Sequence, residues 1–193
     1  MARPRTFDEA EALDAAIGCF WRRGYSATSM RDLEEEMGIG SASLYNVFCD
    51  KRTLFLRALD RYLDGTMRER IARLERTLPP KEAVNVFIGE IVERSLNDPE
   101  RRGCMLVNAA AEIAPHDAEF GREISARLEE LQGFFRRMIA KARADGSVPA
   151  ERDPSEIARL MLGIVLGIRV LARAKPDRAL LKGIARSALA LLD

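Results

Sequence analysis

The sequence is poor in the residues that build secreted domains or membrane spans. It has three cysteines in 193 residues, and so small and odd a number argues against a disulfide framework. The longest uncharged apolar run, residues 160–168, has nine residues, whereas a membrane-spanning helix needs about 20. Residues 1–8 lack the apolar stretch of a signal peptide. We therefore expect a cytoplasmic protein with reduced thiols and no membrane partner.

Net charge and catalytic groups are also scarce. The chain carries 31 basic and 30 acidic side chains, so any nucleic acid has to be recognised by locally arranged residues rather than by an overall basic field. The one histidine, His116, follows Pro115 at a predicted helix start, where a capping or surface role is expected. Without a nucleophile spacing, a metal-ligand cluster or a glycine-rich phosphate loop, we expect no enzyme, no bound metal and no cofactor.

Amphipathic helical spacing is what the sequence has in abundance. An apolar fraction of 47% allows a sizeable core, and seven of the eight prolines fall where an apolar pattern starts or stops. The spacing between these breaks predicts an all-α protein of nine helices. The predicted helices cover residues 6–23, 30–37, 41–48, 51–76, 81–96, 103–114, 117–144, 154–174 and 176–192.

Cap and turn residues support several of these limits. Thr6 and Glu9 have the spacing of a capping box at the start of the first helix. Asp50 and Asp153 are predicted N-caps of the fourth and eighth helices. Gly38 is predicted to end the second helix in the left-handed conformation.

The second and third helices predict a helix-turn-helix motif. Only residues 38–40 separate them, and this link contains glycine. Apolar residues of both helices can share a core with the first helix, whereas Ala42, Ser43, Tyr45 and Asn46 project from the other side of the third. An exposed face of small, hydroxyl and amide side chains suits the floor of a DNA major groove.

The predicted DNA contacts divide into positioning and reading roles. The N-terminus of the second helix favours a phosphate, and Tyr45 and Lys51 are candidates for further phosphate contacts. Ser43 and Asn46 are candidates for base edges, since an amide can pair bidentately with adenine. Arg3 and Arg5 lie on an arm that can reach the DNA backbone or minor groove. The full predicted set on the motif is Thr28, Ser29, Arg31, Ser41, Ala42, Ser43, Tyr45, Asn46 and Lys51.

Local charge stands against DNA binding. Residues 1–57 carry eight basic and nine acidic side chains, so the acidic run of residues 34–36 must be turned away from DNA. An ordinary helical core, or a helical dimeric protein-interaction module without DNA binding, is the alternative from the residues alone.

Residues 24–59, GYSATSMRDLEEEMGIGSASLYNVFCDKRTLFLRAL, resemble the DNA-binding signature of the TetR family of transcriptional repressors. The resemblance implies a homodimer with a DNA reader in residues 1–50 and an effector-binding and dimerisation domain in residues 51–193. It further implies a pseudo-palindromic operator, bound as double-stranded DNA and released when a small molecule binds. Cys49 departs from the pattern, because relatives often carry glycine there.

An effector pocket is expected among the fourth to eighth helices, whose apolar faces exceed what one thin core needs. Adaptable methionines and aromatic residues on these faces are typical of binding pockets and of ordinary cores alike. The candidate pocket residues are Phe87, Cys104, Met105, Asn108, Phe134, Met138 and Met161.

The last two predicted helices resemble the pair that forms a four-helix bundle across the dimer in this family. The eighth is the least charged segment and carries Gly163 and Gly167 four residues apart, which allows close helix approach. The alternative is that both helices complete the monomer core. The predicted interface residues are Leu160, Ile164, Ile168, Leu181 and Ile184.

Cys104 is a candidate sensor of electrophiles or oxidants. It follows Arg101 and Arg102 and is predicted in the first turn of the sixth helix, where cations and the helix dipole favour a thiolate. The stretch from Gly103 through Asn108 and Glu112 resembles that of a subset of TetR relatives, some of which sense such compounds through a cysteine. A buried, inert cysteine is the alternative.

Overall fold

The computed structural model describes residues 8–193, and this range forms nine helices and no strand. The predicted all-α class is confirmed. The fourth helix continues through a π-helical turn and is as long as α7. The helices are α1 (Glu9–Arg23), α2 (Met30–Met37), α3 (Ser41–Phe48), α4 (Lys51–Leu63, the π-helical turn Asp64–Arg68, and Glu69–Thr77), α5 (Pro80–Leu96), α6 (Met105–Glu112), α7 (Ala118–Ala144), α8 (Pro154–Ala174) and α9 (Arg178–Leu189, with the 3-10 turn Ala190–Leu192).

Capping side chains fix most helix starts. Asp50 and Asp153 accept hydrogen bonds from the first-turn amides of α4 and α8, and Gly38 ends α2 at φ 64°, as predicted. Asp8 caps α1. The predicted capping box at Thr6 lies outside the described residues, as does the arm with Arg3 and Arg5.

The start of α6 differs from the prediction. The helix begins at Met105 rather than at residue 103, and Cys104 is its N-cap residue with φ −122°. Arg101 at φ 51° and Gly103 at φ 74° turn the chain before the helix, and the Asp98 carboxylate accepts a 2.7 Å hydrogen bond from the Arg102 amide. This turn takes the place of the predicted first helical turn.

Helices α1–α3 and the first turns of α4 form the amino-terminal unit. Leu33, Leu44, Phe48 and Leu54 are fully buried in its core, which leaves the opposite side of α3 at the surface. An aromatic cluster joins this unit to the rest, with the Phe55 and Phe120 rings 5.6 Å apart across α4 and α7.

Helices α4–α9 form the larger unit. Ion pairs tie α4 to α7, with Arg127 Nη2 2.6 Å from Asp60 Oδ2 and Arg68 Nε 2.7 Å from Glu130 Oε2. Asp60 precedes the π-helical turn and Arg68 is its last residue, so the two pairs hold this irregular segment against α7. Within residues 8–193, no helix combines the length and apolarity needed to cross a bilayer.

Candidate nucleic-acid interface and effector groove

The outer face of α3 is an exposed polar ridge. Ser41, Ala42, Tyr45 and Asn46 are exposed, with 49% of Tyr45 accessible, and Ser43 is half-buried. The predicted split of α3 into a buried and an exposed face is therefore confirmed. Contact of these residues with DNA stays a prediction.

The N-terminus of α2 is partly occupied by its own side chains. Thr28 is 1% exposed and its hydroxyl donates a 2.6 Å hydrogen bond to the Gly24 carbonyl, so the hydroxyl lies inside the unit. The phosphate contact expected at this helix start, from its backbone amides, stays a prediction. The Ser29 hydroxyl accepts a hydrogen bond from the Asp32 amide at 3.1 Å. Hydrogen bonds from the Ser29 hydroxyl and amide lower the pKa of Asp32 to about 2. The capping box of α2, formed by Ser29 and Asp32, thus contains an ionised carboxylate.

Three of the four acidic side chains of α2 are paired with arginines. Glu36 contacts Arg22 at 2.6 Å and Glu35 contacts Arg31 at 3.0 Å. Arg23 pairs with Asp32, the capping carboxylate. The Arg31 side chain is 87% exposed despite its partner, so it is free to exchange the carboxylate for a phosphate. These pairs reduce the negative potential that the three carboxylates present near this surface.

Lys51, at the first position of α4, packs against the amino-terminal unit rather than standing free. Its Nζ is 4.3 Å from the centre of the Tyr25 ring, and burial lowers the pKa of the ammonium although Glu112 acts in the opposite direction. A phosphate contact from Lys51 therefore requires the side chain to extend away from the ring.

A carboxylate of α6 holds the loop between α1 and α2. Glu112 Oε1 accepts a 2.7 Å hydrogen bond from the Ser26 amide, and Oε2 accepts one of 3.1 Å from the Tyr25 amide. A side chain at Gly24, whose φ is 85°, would come within 2.9 Å of the same carboxylate, so glycine is needed there for both space and conformation. The sequence placed Glu112 in a resemblance but did not predict this contact, because its partners lie 86 and 87 residues away.

A polar groove of about 690 Å³ runs along the junction of the two units. Trp21 of α1, Tyr62 and Arg70 of α4, Arg94 of α5 and Arg169 of α8 line it. Behind it lies a cavity of about 40 Å³, and the two share Tyr62, Thr66, Arg70 and Arg169 in their walls. The volume of the groove is in the range of small-molecule sites.

Two of the seven candidate pocket residues, Phe87 and Cys104, line the small cavity. Asn108 has another task, since its Nδ2 donates a 2.9 Å hydrogen bond to the Arg102 carbonyl and holds the turn before α6. The remaining candidates are at most 2% exposed and belong to the core, where close packing fills the space around them; they are Met105, Phe134, Met138 and Met161.

Sequence reasoning missed the arginines of the groove, although a signal was present. Arg70 follows Leu63 and Met67 at helical spacing on the buried stripe of α4, and Arg169 follows Val165 in the same way on α8. A cation on an apolar stripe has to find a partner or line a cavity.

Cys104 lies in the cavity wall as the N-cap of α6 and not in the first helical turn, so that prediction is wrong. Arg102 is engaged elsewhere, 4.1 Å above the Trp21 ring and 3.3 Å from Asp98. Burial and then the neighbouring Cys104 thiol raise the pKa of Tyr62. The groups that face the thiol are thus a phenol and the cavity arginines.

The outer faces of α8 and α9 form an apolar surface groove. Leu160 is 42% exposed, and Ile164 and Ile184 are half-buried in the same groove. Ile168 and Leu181 are 0% exposed, so their assignment to an exposed interface is wrong: they face inward and complete the monomer core.

Comparisons with known proteins agree with this architecture. Residues 12–58 match the family model described as bacterial regulatory proteins, tetR family, and residues 80–188 match the Tetracyclin repressor-like C-terminal domain. The HTH-type transcriptional regulator YezE of Bacillus subtilis (strain 168) is 34% identical over 195 residues, covering 100% of each chain. The HTH-type transcriptional repressor ComR of Escherichia coli (strain K12) is 28% identical, covering 98% of this chain and 90% of ComR.

A solved structure extends the comparison to a DNA complex. A cysteine mutant of the TetR family transcriptional regulator CifR, bound to 26-base-pair operator DNA, superimposes with a TM-score of 0.88. The two chains are 34% identical, and the match covers 99% of this chain and 100% of the CifR chain.

Proposed function

Because the chain belongs to the TetR family of transcriptional regulators, we propose that it is a repressor released from its operator by a small molecule or electrophile. Residues 1–50 serve as the DNA reader and residues 51–193 as the effector-binding and dimerisation domain. The observation that carries the proposal is the exposed ridge of α3, on which Tyr45 and Asn46 lie. Exposure to solvent alone does not explain why a tyrosine and an amide side chain are adjacent on this face of α3.

DNA binding in this proposal divides between positioning and reading. Tyr45, Ser41 and Arg31 contact phosphates, while Asn46 and the half-buried Ser43 read base edges. Ala42 provides a flat surface close to the bases. Lys51 moves from the Tyr25 ring to a phosphate, and the backbone amides at the start of α2 that its own cap leaves free bind another phosphate.

A homodimer is required because a single α3 reads only one half-site. Two readers about 34–36 Å apart match one turn of DNA and gain the specificity of both. The apolar groove with Leu160, Ile164 and Ile184 supports an interface on α8 and α9. Gly163 and Gly167 have open space around them, which leaves room for a partner helix.

Release follows from a ligand that prefers the conformation in which the two readers mismatch the operator. The groove at the junction supports this coupling, since one of its walls is Trp21 of the reader. Cys104 supports the electrophile alternative, because its thiol lines the cavity next to Tyr62. The CifR chain in the DNA complex is a cysteine mutant.

The test is binding of the purified protein to a labelled duplex from its own upstream region, followed by fluorescence anisotropy. We expect sequence-specific binding in which Lys51→Ala weakens affinity for every duplex and lowers the slope of log K against log salt by about one. Arg136→Gln, an exposed charge change on α7, is the matched control. Equal affinity for operator and scrambled duplexes contradicts the proposal.

A further inference from the structure

The groove wall has more positive charge than its carboxylates neutralise. Glu90 serves both Arg70 at 2.9 Å and Arg73 at 2.6 Å. Of the other carboxylates in the wall, Asp98 pairs with Arg102 and Glu93 pairs with residues of α9. Glu69 is exposed. Among the described residues, Arg94 and Arg169 have no carboxylate within 4.0 Å, although both line the groove.

Arg169 stands between the groove and the cavity, in the wall of each. Its Nη1 donates a 3.2 Å hydrogen bond to the Ser95 hydroxyl, a neutral partner. A guanidinium has five N–H donors in a planar fork, and a partly desolvated one gains most from an anion that accepts two of them. The side chain is thus placed to bind an anionic group.

Arg70 adds to the positive potential from a buried position. It is 8% exposed, and burial followed by the nearby Arg94 guanidinium lowers its pKa to about 10, although Glu90 acts in the opposite direction. An anion between these side chains would offset this repulsion.

Trp21, which lines the groove from α1, carries an unused donor. The Trp21 indole Nε1 is buried and has no acceptor among the described residues. A buried N–H without a partner costs about 1–3 kcal/mol, so an acceptor that reaches it binds favourably. Because Trp21 belongs to α1, a ligand here touches the reader directly.

The cavity behind the arginines is apolar, with Met67, Phe87, Leu106 and Val165 in its walls. Its volume of about 40 Å³ holds little more than water, which needs roughly 10–15 Å³ measured in this way. An apolar body of several carbons must therefore displace side chains to enter. Thr66, in the π-helical turn of α4, belongs to both walls, and such turns are frequent at functional sites.

We propose that the effector is an organic monocarboxylate, whose carboxylate binds Arg169 and Arg94 in the groove and whose apolar body enters and widens the cavity. The proposal rests on the proposed function, because it names the chemical class of the ligand that releases DNA. The proposal also explains how the ligand affects the reader. Its apolar body widens the cavity between α4, α6 and α8, and the groove that holds its carboxylate includes Trp21 of the reader.

The test uses the intrinsic fluorescence of Trp21, which is the one tryptophan of the chain, and needs no DNA. The probes are octanoate and cyclohexanecarboxylate, each compared with its alcohol, octan-1-ol and cyclohexylmethanol, and with inorganic phosphate and octyl phosphate. We expect saturable binding of at least one carboxylate, at least tenfold tighter than its alcohol and tighter than either phosphate. Absence of saturable binding of both carboxylates, equal binding of the alcohol, or tighter binding of octyl phosphate overturns the proposal.

Two variants separate the arginines from general effects on folding. Arg169→Gln and Arg94→Gln should each weaken carboxylate binding at least tenfold, and Arg136→Gln should leave it unchanged. Arg94 is exposed, so its variant is expected to fold even where Arg169→Gln does not, and thermal unfolding checks both. Unchanged affinity in a folded Arg94→Gln contradicts the assignment.

A DNA-release assay then distinguishes the two proposals. A carboxylate that binds in the Arg169-dependent manner but leaves the operator complex intact supports the anion site and contradicts its role in release. Release by a carboxylate that does not depend on Arg94 or Arg169 supports the regulator and contradicts this site.

Discussion

Cys104 and Glu112 lie at opposite ends of α6, with Cys104 in the wall of the cavity and Glu112 bonded to the amides of Ser26 and Tyr25 in the reader. The helix between them has eight residues and spans about 12 Å at 1.5 Å per residue. A displacement of its N-terminus by a ligand therefore reaches the reader through one rigid element.

Glu112→Gln should weaken this connection. A neutral amide loses the charge-assisted hydrogen bonds from the two backbone amides, so we expect the free energy of unfolding to fall by about 1–3 kcal/mol. Urea unfolding at pH 7 measures it, and Glu129→Gln, an exposed change on α7, is the control. The variant should also need more effector to leave the operator. An unchanged effector response means that α6 is not the connection.

The same contact predicts a pH dependence. Burial alone would raise the pKa of Glu112, but the hydrogen bonds from Ser26 and Tyr25 outweigh it and the folded-state pKa is lowered below 4.5. The stabilisation is therefore complete above the unfolded-state pKa and is lost as pH falls through the folded-state pKa. The stability difference between the native protein and Glu112→Gln should shrink as the pH falls below about 4.5. A difference that is constant down to pH 3 would show that ionisation of Glu112 is not its source.

Asn46→Ala and Tyr45→Phe should weaken DNA binding in different ways. Loss of a bidentate amide contact costs about 1–3 kcal/mol on the operator and relaxes preference at one base pair. Loss of the tyrosine hydroxyl weakens operator and non-specific DNA alike, because phosphates carry no sequence information. Anisotropy titrations with both duplexes measure the two effects. A uniform loss for Asn46→Ala would place that side chain on the backbone instead.

Leu160→Glu should separate the homodimer. Burying an unpaired carboxylate in an apolar interface costs several kcal/mol, so a monomer is expected at micromolar concentration by light scattering. Ala72→Glu, which adds the same charge at an exposed position of α4, should remain dimeric. Dimers of native mass for Leu160→Glu would move the interface away from this groove.

Cys49→Gly should stabilise the protein. Cys49 has φ 61° and ψ −58°, and the Asp50 amide donates a 2.6 Å hydrogen bond to the Phe48 carbonyl across it, which is a strained γ-turn. Such a conformation costs a residue with a Cβ about 1–3 kcal/mol, and glycine recovers most of it. Chemical denaturation measures the gain. Cys49→Ala keeps the Cβ and should show none, so equal gains in both variants would exclude strain as the cause.

Cys104→Ser tests the sensor hypothesis. If the thiol reacts with electrophiles or oxidants, the serine variant should bind the operator normally but no longer release it when they are added. Cys49→Ser, at an exposed thiol of the reader, is the control. Release that persists in Cys104→Ser assigns the cysteine to the core alone.

The described fold was largely predictable because its signals are local. Aspartate caps, Gly38 and helical spacing each act within a turn or two of the chain, and eight of the nine helices begin within two residues of the predicted start for that reason. The start of α1 is likewise set by a local cap, Asp8. The exposed ridge of α3 followed from the same spacing, since burying Leu44 and Phe48 on one side leaves Tyr45 and Asn46 on the other.

The amino-acid sequence by itself determined the helices, the family and the polar ridge, because apolar periodicity and helix capping depend only on residues close together in the chain. Only the tertiary structure decided that the Thr28 side chain is buried and that Ile168 and Leu181 belong to the core. It also decided that Glu112 accepts a hydrogen bond from a loop 86 residues earlier, and that arginines of three helices line one groove. These outcomes depend on which faces of distant helices pack together. The free energy that favours one packing over another comes from all the packed residues, so no single segment of the sequence shows it.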